Sequence, residues 1–149
     1  MIQLPPDFRE LLSLLNLNEV EYLIIGGYSV AFYGYPRATG DIDIWIGKNP
    51  HNVVKMVKAV KDFGFVISEL EMNRFLKEPR ILRMGIPPLR IEVLNTISGV
   101  EFEECFKSRN TTMIDDIVVH FISLEHLKLN KKASGRHQDL SDLEKLPPK

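Results

Sequence analysis

Two aspartates, Asp41 and Asp43, have the residue type and spacing that most directly suggest chemistry in this sequence. They alternate with isoleucines in the segment GDIDIWIG (40–47), a pattern typical of a strand with one face in the core. Residues i and i+2 of a strand point to the same side, with Cα atoms about 6.5–7 Å apart. At that spacing the carboxylates can converge on one Mg²⁺ or on two metal ions about 3.5–4 Å apart. The alternative is a solvent-exposed edge, where acidic side chains discourage aggregation.

A Gly-Gly pair, Gly26-Gly27, follows the β-branched run VEYLII (20–25) and precedes a short helical pattern over residues 28–34. Glycines let a phosphate approach the backbone, and the free N–H groups of a first helical turn point towards it. Taken alone, the pair indicates only a tight turn between a strand and a helix. Together with the aspartates, it predicts a phosphate site next to a metal site.

A third acidic residue, Glu92, lies in an apolar strand within a predicted hairpin over residues 80–94. Strand alternation places Glu92 and Arg90 on one face. One interpretation is an ion pair between Glu92 and a neighbour such as Arg90 or Arg83. The other is that Glu92 is the third carboxylate of a site with the two aspartates.

Further elements are needed to position these residues. The apolar periodicity and the capping residues predict additional strands over 65–68, 111–114 and 117–122. They predict helices over 7–16, 50–63, 69–77 and 101–107. A final helical region is predicted from 124 to 146, with a break near Gly135. The apolar stripe of this region consists of Leu124, Leu127, Leu140, Leu143 and Leu146.

Length and composition limit the classes of protein. We expect the 149 residues to form one domain over 1–146 with a disordered tail at 147–149. A net charge of −1 argues against a non-specific nucleic-acid binder. The single cysteine, Cys105, is expected to be buried and unreactive in a reducing cytoplasm. No apolar run is long enough to span a membrane. The four histidines lack metal-ligand spacing and are interpreted as surface or incidental residues.

The stretch from Gly26 to Trp45 resembles the core motif of minimal nucleotidyltransferases of the DNA polymerase β-like superfamily. That motif is a Gly-Gly or Gly-Ser turn, a short helix and then Asp-x-Asp on a strand. Residues 34–43, GYPRATGDID, are similar to the pattern Gly-x-x-Arg-x-Thr-x-Asp-x-Asp. This pattern marks a bacterial branch related to toxin–antitoxin and abortive-infection systems.

The resemblance extends over residues 20–146. MGIPPLRIEVLNTISGVEFEE (84–104) matches the strand that bears the family's third acid, and SLEHLKLNKKASGRHQDLSDLEKL (123–146) is similar to its closing helices. Two positions differ from the family pattern. The third acid is Glu92 instead of Asp, and the turn has Gly27 instead of Ser, with Ser29 as a nearby hydroxyl.

The resemblance implies an α/β (α+β) nucleotidyltransferase fold with a mixed central sheet flanked by helices and closed by C-terminal helices. It also implies metal-dependent transfer of a nucleoside monophosphate from an NTP to an acceptor hydroxyl, with release of pyrophosphate. The acceptor could be tRNA or another RNA, a protein or a small molecule, and a partner protein or a homodimer could complete the cleft. The implied ligands of Mg²⁺ or Mn²⁺, which are also the catalytic residues, are Asp41, Asp43 and Glu92. The implied nucleotide-binding residues are Gly26, Gly27, Ser29, Arg37, Thr39, Lys131 and Arg136.

Some alternatives remain open. Arg136 can either neutralise charge on the nucleotide or pair with Asp139 at i,i+3. The two departures at Glu92 and Gly27 also suit a non-catalytic module of the same fold that binds a nucleotide or a partner. A metal-dependent phosphohydrolase is a third reading, which would release free phosphate.

Overall fold

A six-stranded mixed sheet organises the fold. The computed structural model describes residues 3–35, 40–86 and 89–148. The strand order is β3-β4-β2-β1-β6-β5. The strands are β1 Tyr22–Ile25, β2 Asp41–Ile46, β3 Ile81–Ile86, β4 Leu89–Leu94, β5 Asn110–Ile114 and β6 Ile117–Phe121.

Helices cover both faces of the sheet. Within the described residues they are α1 Pro6–Leu17, α2 Gly26–Phe32, α3 Pro50–Phe63, α4 Glu69–Lys77, α5 Phe102–Lys107, α6 Leu124–Ser134 and α7 His137–Lys145. The predicted α+β class with closing C-terminal helices is therefore confirmed.

The pairing of β2 decides where the acidic residues meet. β2 runs antiparallel to β1 on one side and parallel to β4 on the other. The parallel register places Asp43 beside Glu92 and Asp41 beside Arg90. The other edge of the sheet is the antiparallel hairpin β5–β6, and β6 pairs with β1 in parallel.

The two faces of the sheet bury separate apolar clusters. Ile42, Ile44 and Ile46 of β2 pack with α1, α3 and Phe75 of α4 on one face. On the opposite face Trp45 is 1% exposed and packs with residues of α5 and α6. The face that bears the aspartates is thus sealed at the Trp45 end, so it can open only towards Asp41 and Asp43.

Most of the predicted elements are confirmed, but the strand over residues 65–68 is wrong. This segment is an extended link from α3 to α4 in which Val66 is 81% exposed, and no strand of the described residues pairs with it. Gly64 ends α3 in a left-handed conformation, and Ser68 caps α4 by accepting a hydrogen bond from the backbone N–H of Glu71. Local residue types suggested a strand, but the sheet provides no neighbour for it.

The start of α2 and the buried face of α7 also differ from prediction. α2 begins at Gly26 itself and not at residue 28. The predicted leucine stripe of α7 is wrong at Leu140, which is exposed. Asp139 and Asp142 are buried in its place, because a lysine of α6 pairs with both of them.

Several smaller expectations can be compared directly. Cys105 is buried and forms no disulfide. His126 is buried, contrary to a surface location, because its Nδ1 contacts the hydroxyl of Ser123 at the start of α6. Pro147 and Pro148 follow the last helix, Lys149 lies outside the described residues, and tail disorder stays a prediction. In the part of the chain that the structure describes, no helix is long and apolar enough to cross a membrane.

Candidate active site

The glycine turn lies directly against an aspartate. Gly26 follows β1 and has φ +67°, a left-handed conformation that favours glycine. A Cβ atom at this position would overlap with Oδ2 of Asp43. The first turn of α2 and the carboxylate of β2 therefore approach each other closely only because residue 26 has no side chain.

Asp43 and Glu92 form a carboxylate pair across β2 and β4. They are register neighbours, and their carboxyl groups share a hydrogen bond. Burial raises the pKa of Asp43 to about 7, with further contributions from the charge of Glu92, its hydrogen bond and the charge of Asp41. The Lys131 ammonium acts in the opposite direction on this pKa. Asp43 thus holds a proton near neutral pH unless a cation offsets the neighbouring negative charges.

Two arginines hold the other acidic groups. Nη2 of Arg90 donates a hydrogen bond to Oδ2 of Asp41 over 2.9 Å. Nε of Arg83 donates to Oε2 of Glu92, also over 2.9 Å. The predicted ion pair of Glu92 with Arg83 is therefore confirmed, and Glu92 also lies beside Asp43, while its role as the third carboxylate of a site stays a prediction.

We call Asp41, Asp43 and Glu92 the acidic trio. Carboxylate oxygens are the ligands that Mg²⁺ and Mn²⁺ prefer, so the chemistry of the trio fits a divalent cation. The raised pKa of Asp43 also indicates negative charge that a cation would relieve. Among the described residues, however, no three acidic, histidine or cysteine side chains converge as a metal site. The two arginine pairs engage two of the three carboxylates, so the arginines compete with an ion that all three would ligate.

A buried ion-pair network supports one wall of the site. Nζ of Lys131 lies 3.2 Å from Oδ1 of Asp139 and 2.9 Å from Oδ2 of Asp142, and all three side chains are at most 5% exposed. Nε of Arg136 donates to Oδ2 of Asp139 over 2.7 Å. Burial alone would raise the pKa of Asp139, but hydrogen bonds from Arg136, Ser134 and Lys131 outweigh it and hold the pKa below its usual range. The i,i+3 pairing of Arg136 with Asp139 is confirmed.

A polar cleft of about 480 Å³ brings two members of the trio, Asp43 and Glu92, together with part of this network, whereas Asp41 and Asp142 are not in its described lining. One side is formed by Gly26 and the ends of β2 and β4, and the opposite side is formed by α6 and α7. Its charged and polar lining includes Asp43, Glu92, Arg83, Arg90, Lys131, Arg136, Asp139, Thr96, Ser98, Asn130 and Ser134.

A larger cavity of about 700 Å³ shares no lining residue with this cleft. It is lined by residues such as Tyr33, Arg109, Asn110 and Ser123. No carboxylate belongs to its described lining. The smaller cleft is therefore the better candidate for metal-assisted chemistry.

Comparison with known proteins can now be set beside this geometry. Residues 6–148 match the model of the family described as "Nucleotidyl transferase of unknown function (DUF2204)". The protein belongs to this family. This family match confirms the resemblance to minimal nucleotidyltransferases. No curated protein matches the chain significantly.

A solved structure supports the fold of this DUF2204 family member. The chain is similar to a Thermotoga maritima protein whose crystal structure is described as that of a "putative nucleotidyltransferase". The two chains are 16% identical, the alignment covers 96% of this chain and 94% of the other, and the TM-score is 0.64. This likeness confirms the nucleotidyltransferase fold.

The remaining predicted nucleotide-binding residues are not in the described lining of the cleft. Gly27 and Ser29 are buried in α2, and the Ser29 hydroxyl donates to the carbonyl oxygen of Gly26 over 2.7 Å. Neither is among the residues that line the cleft. Arg37 and Thr39 lie outside the described residues.

Sequence reasoning treated Arg83 and Arg90 only as candidate partners of Glu92 and did not identify them as residues of the cleft. The available signal was alternation, which places Arg90 on the same strand face as Glu92. Arg83 requires the antiparallel register of β3 with β4, in which it lies opposite Glu92. Thr96, Ser98 and Asn130 reach the cleft through loop and helix packing, for which the sequence carries no local signal.

Proposed function

We propose that this family member is a metal-dependent nucleotidyltransferase. It transfers a nucleoside monophosphate from an NTP to an acceptor hydroxyl and releases pyrophosphate. The observation that carries the proposal is the contact of Asp43 with both Gly26 and Glu92. A backbone turn suited to phosphate and a carboxylate pair suited to a divalent cation thus meet in one cleft.

The acidic trio would hold Mg²⁺ or Mn²⁺. The bound ion would neutralise charge on the triphosphate and lower the pKa of the acceptor hydroxyl. The acceptor oxygen forms a bond to the α-phosphorus while the bond to the pyrophosphate oxygen breaks. Glu92 accepts the hydroxyl proton, and pyrophosphate leaves with the electron pair of the broken bond.

The chain's own polar groups orient the triphosphate. The backbone N–H of Gly26, which lines the cleft at the first turn of α2, would donate to a phosphate oxygen, and Gly27 and Ser29 would support this turn from behind the cleft. Arg136 and Lys131 contribute positive charge from the opposite wall, although both already pair with aspartates of α7. Arg37 and Thr39, implied by the family motif, complete this proposed nucleotide-binding set.

A second candidate function is binding of a nucleotide or partner without chemistry. The observation that favours it is that Arg90 and Arg83 engage two of the three acidic groups. An ion pair in place of a metal would let the fold persist as a binding module. Nucleotide binding without product formation on any acceptor would identify this case.

The acceptor of this proposed reaction carries a nucleophilic hydroxyl group. RNA such as tRNA, a protein hydroxyl and a small molecule all present a suitable nucleophile. A partner protein or a second copy of the chain could complete the acceptor side of the cleft, as in the toxin–antitoxin systems suggested by the residue 34–43 motif. The cytoplasm, where NTPs are abundant, is the proposed location.

A paired labelling experiment tests this function. Each NTP is supplied with the label either on the α-phosphate or on the γ-phosphate, together with cell extract and Mg²⁺. Nucleotidyl transfer attaches only the α label to an acceptor, and a phosphohydrolase releases the γ label as free phosphate. Transfer should be lost in Asp41→Asn, and an unchanged rate in that variant would contradict the metal-binding role of the trio.

A further inference from the structure

Two guanidinium groups lie where a metal-binding site would require free carboxylate oxygens. Arg90 pairs with Asp41 and Arg83 pairs with Glu92, each over 2.9 Å. Both arginines line the cleft beside Asp43. The positive charges that stabilise the acidic trio in this arrangement are therefore the chain's own.

An arginine and a metal ion compete for the same carboxylate lone pairs. A carboxylate oxygen that accepts a hydrogen bond from a guanidinium group loses part of its capacity to ligate a metal ion. This competition explains why the described residues contain the acids for a metal site without converging on one point. Binding of a divalent cation to all three acids thus competes with both arginine pairs.

The two arginines differ in how they are held. Arg83 is on the edge strand β3, and its side chain is 56% exposed. Opening its ion pair with Glu92 therefore costs little free energy. Arg90 is less exposed, and its Nε is buried with no hydrogen-bond partner among the described residues. A buried donor without an acceptor is unfavourable, and a phosphate oxygen in the cleft would satisfy it.

We propose that Arg83 and Arg90 exchange partners when the metal–nucleotide complex binds. They release Glu92 and Asp41 to the metal ion and turn to the phosphate oxygens of the same substrate. Guanidinium groups bind phosphate with two parallel hydrogen bonds, which suits this second role. The inference rests on the proposed function, and it assigns these arginines as substrate-binding residues that couple metal binding to triphosphate binding.

The exchange predicts effects of opposite sign on two equilibria. Without nucleotide, each arginine competes with the metal ion, so its removal should tighten metal binding. With the metal present, each arginine contributes to triphosphate binding, so its removal should weaken that step. A merely structural role would not produce this pair of opposite changes.

The first measurement is binding of Mn²⁺ alone, followed by the electron paramagnetic resonance signal of the free ion. Arg83→Gln and Arg90→Gln should each bind Mn²⁺ about fivefold more tightly than wild type, a factor typical of one partly exposed ion pair. Arg136→Gln is the matched control, because it removes the same charge from the same cleft while its partner is Asp139. Its effect should be clearly smaller.

The second measurement is calorimetric binding of inorganic tripolyphosphate at saturating Mn²⁺, which omits the nucleobase. Each glutamine variant should bind this probe about tenfold more weakly than wild type, consistent with loss of a charge-assisted contact. Arg83→Lys and Arg90→Lys keep the charge and should recover part of the affinity. Circular dichroism confirms that each variant is folded before binding is compared.

Equal Mn²⁺ affinity in wild type, Arg83→Gln and Arg90→Gln would overturn the exchange, as would the absence of Mn²⁺ binding in all of them. Unchanged tripolyphosphate affinity in both variants would also overturn it. The proposed function is judged separately by nucleotide transfer in the wild type and its loss in Asp43→Asn. Transfer that is lost in Asp43→Asn while the arginine variants bind as wild type would refute only the exchange.

Discussion

Asp43 of β2 and Glu92 of β4 lie side by side in parallel register, and their carboxyl groups share a hydrogen bond. Two carboxyl groups that are close enough to share a hydrogen bond repel each other when both are ionised. One proton, or one cation, removes most of this repulsion. The pair therefore links the protonation of Asp43 to the stability of the fold and to metal binding.

The first prediction is that the metal-free protein loses stability as pH rises from about 4 to about 7. The folded pKa of Asp43, about 7, lies above the ordinary value of 3.8, because burial and neighbouring carboxylates disfavour its charged form. In this window the folded state binds more protons than the unfolded state, so the free energy of unfolding falls with pH. Asp43→Asn should melt at a higher temperature than wild type at pH 8, and the two should differ less at pH 5.

Thermal melts in a chelator-containing buffer check this pH dependence. Asp62→Asn is the control, because Asp62 is an exposed residue of α3 that pairs with Lys58. The size of the stabilisation in Asp43→Asn should be on the order of a few kcal/mol, since each pKa unit corresponds to about 1.4 kcal/mol. A wild-type protein that becomes steadily more stable between pH 4 and pH 7 relative to Asp43→Asn would contradict this account of Asp43.

The second prediction concerns the close approach of α2 to β2. Gly26→Ala should reduce stability by more than the roughly 1–2 kcal/mol expected for a left-handed alanine, because its Cβ also overlaps with the Asp43 carboxylate. It should also weaken Mn²⁺ binding, since Asp43 must move. Chemical denaturation and a Mn²⁺ titration measure the two effects.

Gly34→Ala provides a matched comparison for Gly26→Ala. Gly34 has φ +107°, but no atom of the described residues lies within 4 Å of the position that a Cβ would take. Gly34→Ala should lose only the stability that the strained backbone conformation costs, and it should leave Mn²⁺ binding unchanged. If the two variants lost the same stability and bound Mn²⁺ equally, the contact between Gly26 and Asp43 would contribute neither to stability nor to metal binding.

The positions of Asp41, Asp43 and Gly26 could be predicted from sequence because their signals are local. Alternation with isoleucines sets the face of the aspartates, and a glycine after a buried strand marks a turn. The contact of Glu92 with Asp43 depends on parallel pairing of β2 with β4, strands separated by two helices and β3. Strand alternation in the sequence left this contact as one of two interpretations of Glu92, beside an ion pair, and the family resemblance favoured it.

The errors arise where tertiary contacts override residue type. Leu140 was assigned to the core by helical spacing, yet α7 turns Asp139 and Asp142 inwards because Lys131 is buried opposite them. Residues 65–68 have the composition of a strand, but no neighbouring strand is available. Arg83 enters the cleft because the antiparallel register of β3 with β4 places it opposite Glu92, and this register depends on tertiary structure.

The third prediction addresses the buried network between α6 and α7. Lys131→Met should lower the free energy of unfolding by about 3–5 kcal/mol, because it removes a buried cation that pairs with both Asp139 and Asp142. Urea denaturation at neutral pH measures this loss. Lys58→Met, which breaks the exposed pair with Asp62, should cost less than about 1 kcal/mol.

A similar small cost for both lysine variants would contradict the structural role of Lys131. The same experiment also informs the proposed function. Partial retention of nucleotide binding in a folded Lys131→Met protein would indicate that Lys131 supports the cleft wall more than it contacts the phosphates.

The most direct test of the central claim is the rate at which the label of an α-labelled NTP is transferred to an acceptor. Wild type is compared with Asp43→Asn, Glu92→Gln and the exposed control Asp62→Asn. The account predicts that Asp62→Asn keeps the wild-type rate and that both cleft variants lose at least about 100-fold, as expected when metal ligation or the general base is removed. Wild-type rates in Asp43→Asn and Glu92→Gln would contradict the acidic trio as the catalytic centre.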